Sequence, residues 1–306
     1  MTIPRIAITA ALCAPALLSG CKCGGDAPLA SDAASPVASS APSAAASAPA
    51  RTPRPTHPAP KAEDKEFTTS DGVKIAGSYW AGGPAGAPMV LLAHRLAGSR
   101  AEWIPLVERL FPPKAPMNVL AIDLRGHGAS VQTKAGPKGK KLACHELQPK
   151  DFAGIVKDVE AAMKAAPPGT PWVFAGSDLG ATALTLNAKA AGDALRGIAL
   201  ISPGAALQGI DLYSPFGQVL RLPNLILSST HDTVSAEPAM ALAQMAKGSR
   251  LVQVPGAMHG AEYLGREHPV MWDDLADWID ERVGQAGPST ASSASPSASP
   301  PPSPSP

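Results

Sequence analysis

Short apolar runs alternating with amphipathic stretches predict an α/β domain with a mostly parallel sheet and helices on both faces. Three observations carry this. The runs PMVLLAH, NVLAI, WVFAGS, RGIALI and NLILSS are apolar almost throughout, as strands buried on both faces must be. Stretches such as RAEWIPLVERLF and DFAGIVKDVEAAMKAA repeat apolar residues at helical spacing. Turn residues such as Pro167-Pro168-Gly169 stop one element before the next begins.

Taken in order, FTTSDGVKIAGSYWA is two β-prone runs around Asp71-Gly72, a strong hairpin signal. PMVLLAH is the third strand, RAEWIPLVERLF a helix and MNVLAID the fourth strand. DFAGIVKDVEAAMKAA is the next helix, PWVFAGSD the fifth strand and LGATALTLNAKAAG the helix after it. RGIALISPG, PNLILSST and RLVQVPGA supply three further strands. A last helix over roughly Pro269 to Val283 puts Met271, Leu275, Trp278 and Ile279 on one side and carboxylates on the other.

The ends read differently. Residues 1–20 carry one basic residue, Arg5, then the apolar stretch IAITAALCAPALL, which is signal-peptide architecture and too short to span a membrane. Leu18-Ser19-Gly20-Cys21 resembles the lipobox of bacterial lipoproteins. That resemblance implies cleavage before Cys21, acylation of its thiol and a place in the bacterial cell envelope, with Lys22 pointing to the outer membrane. Within 21–62, and again in 285–306, Ala, Ser and Pro leave little to bury, so a solvated tether and tail are expected around a domain at 63–284.

A formal net charge of +1 with no basic stripe, and only three tyrosines and five phenylalanines, argue against a nucleic-acid partner. The four cysteines, Cys13, Cys21, Cys23 and Cys144, form no metal-ligand pattern, so no metal and no cofactor is expected. Cys144 is left open between a pair with Cys23 and a free or buried thiol.

Ala121-Ile122-Asp123-Leu124-Arg125-Gly126-His127-Gly128-Ala129-Ser130 resembles the D-x-R-G-x-G-x-S string of the α/β-hydrolase family, a structural loop in which His127 has no catalytic part. The resemblance implies the α/β-hydrolase fold: an eight-stranded, mostly parallel sheet. About twenty residues separate Ser202 from Pro223, too few for a cap domain, so an open site is expected. Gly176-Ser177-Asp178-Leu179-Gly180 matches the family's G-x-S-x-G nucleophile elbow and puts Asp178 in the serine's slot; with Ser177 as nucleophile, Leu179 would crowd the turn. Asp232 after NLILSST and His259 in Gly256-Ala257-Met258-His259-Gly260 then follow in the family's order of acid and base. The oxyanion donors are expected from the backbone of Leu96 and Leu179, with Arg95 standing where the family has glycine.

An aspartate in that slot resembles the nucleophile of haloalkane dehalogenases and epoxide hydrolases, which form an alkyl-enzyme ester. Leu96 and Leu179 offer no side-chain donor for a halide; Tyr213 is a stand-in for the absent cap tyrosines. Asp178 could instead act as a base toward water. Two readings follow: a hydrolase of a small neutral substrate, with Asp178 as nucleophile or base, or an impaired relative serving as an envelope binding or structural module.

Overall fold

Strands β1 (Glu63–Thr68) and β2 (Val73–Ala81) pair antiparallel across the Asp71-Gly72 turn, with Phe67 opposite Ile75. In the computed structural model, which describes residues 52–133 and 142–285, six more strands complete the sheet. They are β3 (Met89–Ala93), β4 (Asn118–Ile122), β5 (Trp172–Ser177), β6 (Leu195–Ile201), β7 (Asn224–Ser229) and β8 (Arg250–Val254). Their order is β1-β2-β4-β3-β5-β6-β7-β8, with a two-residue strand, Gln132–Thr133, added beside β2. Every pair from β4 to β8 is parallel, and β2 runs against both of its neighbours in that order.

The apolar runs are explained by a core on each face. Leu91, Ile122, Phe174, Leu200 and Ile226 face α2 (Ile155–Lys164), α3 (Leu179–Leu186) and α4 (Ala236–Met245). Val90, Leu92, Val119, Val173, Leu225 and Leu227 alternate to the other side. There they meet α1 (Ile104–Leu110), α5 (Ala261–Glu267) and α6 (Val270–Gly284) through Leu106, Leu264, Met271, Leu275 and Ile279. The helix expected over DFAGIVKDVEAAMKAA is split into a turn at Pro149–Phe152 and α2. The break falls at Gly154, where an added Cβ would lie 2.0 Å from Arg125 Nη1.

The Asp123-to-Ser130 string is structural, as read. Asp123 accepts from Arg100 N and Ala129 N and pairs with the Arg100 guanidinium. Arg125 donates to Asp158 from Nε and Nη2, and to Asp71 of the hairpin turn from Nη1 and Nη2. Burial raises Asp158 to about 6 even against Arg125, so this hub fixes the loop at an electrostatic cost. Between β6 and β7 lie only the hairpin Ala206–Leu207 with Ile210–Asp211 and the turn Tyr213–Phe216; no cap domain is inserted there.

Two findings differ from the sequence reading. Residues 52–62, expected in the tether, lie against the domain: Arg54 donates to Arg109 O and Asp277, and its guanidinium also meets Asp280 at 2.7 Å. His57 N donates to Glu108 O, and Trp80 Nε1 to Pro60 O. Cys144 is disulfide-bonded, which corrects the free-thiol reading. The other three cysteines lie outside the described residues, as do the expected signal peptide, the Cys21 anchor site and the Ser/Pro tail beyond residue 285. Among the described residues no helix is long and apolar enough to cross a membrane.

With its side chain only 8% exposed, Arg54 is the buried end of this strap. Arg54→Ala leaves exposed Lys114, 3.3 Å from both Asp277 and Asp280, to face the two carboxylates, and is expected to lower stability by about 1–2 kcal/mol, less than a fully buried pair without a second cation would lose. Urea unfolding with an unchanged m-value checks this; an unshifted midpoint would show that the strap adds nothing to the fold.

Candidate active site

At the end of β5 the chain turns into α3 within one residue. Asp178 takes φ +48°, ψ −106°, a costly conformation for a side-chain-bearing residue. Two glycines make the corner possible. A Cβ at Gly176 would sit 2.5 Å from Ala181 N, and one at Gly180 would sit 2.0 Å from Ala93 O. Ser177 is turned away, its Oγ accepting from Ala261 N at 2.9 Å, so Asp178 holds the elbow position.

The structure brings Asp178, His259 and Asp232 together. Asp178 Oδ2 accepts from Leu96 N at 3.0 Å, while Oδ1 accepts no hydrogen bond and lies 3.4 Å from His259 Nε2. That separation is an ion-pair distance, long for a hydrogen bond. On the far side of the ring, Nδ1 donates to Asp232 Oδ2 at 2.7 Å. Asp232 is itself held by Ser235 Oγ on Oδ2 and Val234 N on Oδ1. The His259 loop is pinned where Gly260 N donates to Ser202 Oγ and Ala261 N to Ser177 Oγ, both at 2.9 Å.

The Leu96 amide is prepared from behind. His94 is fully buried; its Nε2 accepts from Leu124 N, so Nδ1 carries the proton and donates to Arg95 O at 2.7 Å. Gly98 N donates to the same oxygen at 3.0 Å. Two donors on one carbonyl polarise the 95–96 peptide, whose N–H points at Asp178. Leu179, the other expected oxyanion donor, opens α3, where helix geometry leaves amides without intrahelical acceptors.

Electrostatics follow from this packing. Burial disfavours the His259 imidazolium, but Asp178 and Asp232 outweigh it and push the ring up to about 9. Asp232 is raised by burial, yet hydrogen bonds from His259, Ser235 and Val234 leave it below the usual carboxylate range. Burial drives His94 down to about 4, which keeps it neutral. Asp178 is 3% exposed, while the His259 side chain keeps 30%, so approach is from the imidazole side.

Other residues singled out by sequence lie elsewhere. His127 is buried against His94, its ring centroid 5.0 Å away, and Nδ1 donates to Arg125 O. His231 is exposed beside Asp232. The carboxylates acting on the Tyr213 phenol are Glu237 and Asp211, not Asp178 or Asp232. The supporting roles of Ser177, Ser202 and Ser235 lie beyond the sequence reading; of these Asp232-x-x-Ser235 carries a readable local signal, the reach of a carboxylate to a hydroxyl in one turn. Among the described residues no group of three or more His, Cys, Asp or Glu is arranged to hold a metal ion.

No protein-family model matches the sequence, and no curated protein matches it either. Solved structures do. Est1E from Butyrivibrio proteoclasticus with ferulic acid bound is 18% identical, with TM-score 0.56 over 72% of this chain and 99% of that one. An esterase from Pyrococcus furiosus is 18% identical, with TM-score 0.55 over 73% and 93%. The enol-lactonase from Burkholderia xenovorans LB400 is 16% identical, with TM-score 0.53 over 72% and 100%. At such identities the likeness is one of architecture, and the chain has the α/β-hydrolase fold.

Proposed function

We propose that the protein is an envelope hydrolase in which Asp178 attacks a saturated carbon, and that small neutral epoxides are the substrate class. One observation carries this: the two oxygens of Asp178 are in different states, Oδ2 held by the Leu96 amide and Oδ1 bare beside His259. The solved structures named as esterases and a lactonase suggest ester hydrolysis instead. Against an ester, however, Asp178 would have to form an anhydride, and the Leu96 amide is already taken by Oδ2.

For a ring ether the arrangement is consistent. Oδ1 attacks the ring carbon, the C–O bond breaks, and the Nε2 proton of the His259 imidazolium passes to the leaving alkoxide. The product is a hydroxyalkyl ester on Asp178 and a neutral imidazole. Esterification also removes the Asp178 charge, so His259 becomes less readily protonated and can act as a base. It takes a proton from water; hydroxide adds to the Asp178 carbonyl carbon, and the negative charge builds on Oδ2, where the Leu96 N–H already points. Collapse expels the diol alkoxide, which takes the hydroxyl proton of the intermediate. The imidazolium and carboxylate are restored.

A halide leaving group finds no comparable donor, since Leu96 and Leu179 have none in their side chains. The second reading, a noncatalytic binding module, is favoured by one feature: at 3% exposure Asp178 is nearly closed off. Attachment to the envelope through a lipid on Cys21 belongs to this proposal and rests on the Leu18-Ser19-Gly20-Cys21 stretch.

Three outcomes test these readings. A single turnover of styrene oxide in heavy-oxygen water is expected to label the Asp178 carboxylate and leave the diol unlabelled, with Asp178→Asn inactive; label in the diol instead would rule out the ester intermediate. If the imidazolium is the acid of the first step, kcat/KM is flat below about pH 9 and falls above it. Asp232→Asn should pull that limb down by about one unit or more; a rate rising from pH 6 to 9 would make neutral His259 the first-step participant. Finally, metabolic fatty-acid labelling is expected to vanish in Cys21→Ser, and its persistence would remove the anchor.

A further inference from the structure

The loop carrying Leu96 follows β3 and the loop carrying His259 follows β8, and in the sheet these strands are separated by β5, β6 and β7. No strand ladder fixes one loop against the other. Their relative position nevertheless sets how the Asp178 carboxylate divides between amide and imidazole. We propose that Arg95 is a positioning residue whose side chain ties the Leu96 loop to the helix that follows His259. The proposal rests on the hydrolytic reading of Asp178 and His259.

The contacts run the length of the side chain. Near its root, Arg95 N donates to Glu102 Oε1 at 3.1 Å, and Nε lies 3.8 Å from Glu102 Oε2. The stem crosses Gly260, where an added Cβ would lie 2.5 Å from Arg95 Cδ; the residue after His259 therefore has to be small for the arm to pass. At the tip, Nη2 donates to Glu262 Oε2 at 3.0 Å and reaches Tyr263 Oη at 3.3 Å. The guanidinium stacks over the Tyr263 ring, 4.7 Å from its centroid. Nη1 turns back to Leu96 O at 3.0 Å, so the same group holds the loop it starts from.

The root is set in a buried carboxyl. Burial raises Glu102 to about 8, opposed by Arg95, whose Nε lies 3.8 Å from Oε2, an oxygen that accepts no hydrogen bond. Outside the arm is an open groove of about 810 Å³, lined by Arg95, Gly98, Glu102, Glu262, Arg266 and Trp272 among others. Shortening the side chain enlarges that groove; Arg266 already pairs with Glu262 at 3.1 Å, but it lies on the same helix and so adds no tie to the Leu96 loop. With Glu262 41% exposed, the ion pair itself adds little to stability. Its leverage is geometric, because a displacement of about 1 Å between reacting groups can cost about a hundredfold in rate.

Arg95→Gly, Arg95→Lys and Glu262→Gln test this in the full-length protein. Amide exchange at Leu96 is read against Val173 and Ile198 in the core strands, and kcat and KM are measured on styrene oxide. Arg95→Gly and Glu262→Gln are expected to speed Leu96 exchange about tenfold or more while the strand amides hold, and to lower kcat by about 10–100-fold with KM moving less than about threefold. Lysine should rescue only in part, since it can reach Glu262 but cannot stack and fork as arginine does. If Arg95→Gly leaves both Leu96 exchange and kcat within twofold of wild type, the positioning role is overturned. If the wild type does not turn over styrene oxide, the exchange at Leu96 still decides this proposal, while the mechanism fails by itself.

Discussion

The corner at Asp178 sets the geometry of the site. A strand that ends in β conformation and a helix that begins one residue later leave room for a single residue in between, and that residue must take φ +48°. Backbone of the neighbouring strand crowds the turn from one side, as the 2.0 Å approach of Ala93 O to a Cβ at Gly180 shows. The same crowding shapes the site. It brings the end of β3, with its Leu96 amide, against the carboxylate, so the strain at 178 and the hydrogen bond at Oδ2 are two results of one close approach.

Charge balance then decides which proton is where. An imidazole between two carboxylates stays protonated even though burial opposes it, and its charge survives up to about pH 9. Because the folded ring titrates above its unfolded value, its contribution to stability is whole below about 6.5 and is lost as pH rises toward about 9. In a serine enzyme the histidine must be neutral to accept a proton before the first bond forms. In the mechanism proposed above its first act is donation, and it turns basic only once Asp178 has been esterified. On that proposal an aspartate in place of a serine reverses the order of the proton steps, with the hydrogen bond from His259 to Asp232 kept.

The fold and the three converging residues were legible because their signals are local. Gly176 and Gly180 constrain a turn five residues long, and apolar runs such as PMVLLAH announce strands buried on both faces. Arg54 and Arg95 were not legible in their roles, because each depends on a partner far along the chain. Arg54 sits among Pro and Ala in what reads as linker, and its acceptors Asp277 and Asp280 are spread along the face of α6 that looks merely solvated. Arg95 shows in sequence only as a departure from glycine; that the space is made by Gly260, 165 positions later, follows from topology. The helix break at Gly154 is similar, since the Arg125 side chain that forces it comes from the preceding loop.

The arrangement weighs against a merely structural role. Two carboxylates and an imidazolium that are largely withdrawn from water cost more than apolar side chains of the same size. The support around them has the same character. Ser235 and Val234 orient an acid that accepts from His259 Nδ1, and His94 and Gly98 polarise a peptide whose N–H donates to Asp178. Oδ1 of Asp178 is buried and accepts no hydrogen bond, and it lies 3.4 Å from the imidazole. An unsatisfied buried oxygen costs about 1–3 kcal/mol, more when charged, and the attack on carbon proposed above is a use consistent with an oxygen whose twin is held by the Leu96 amide.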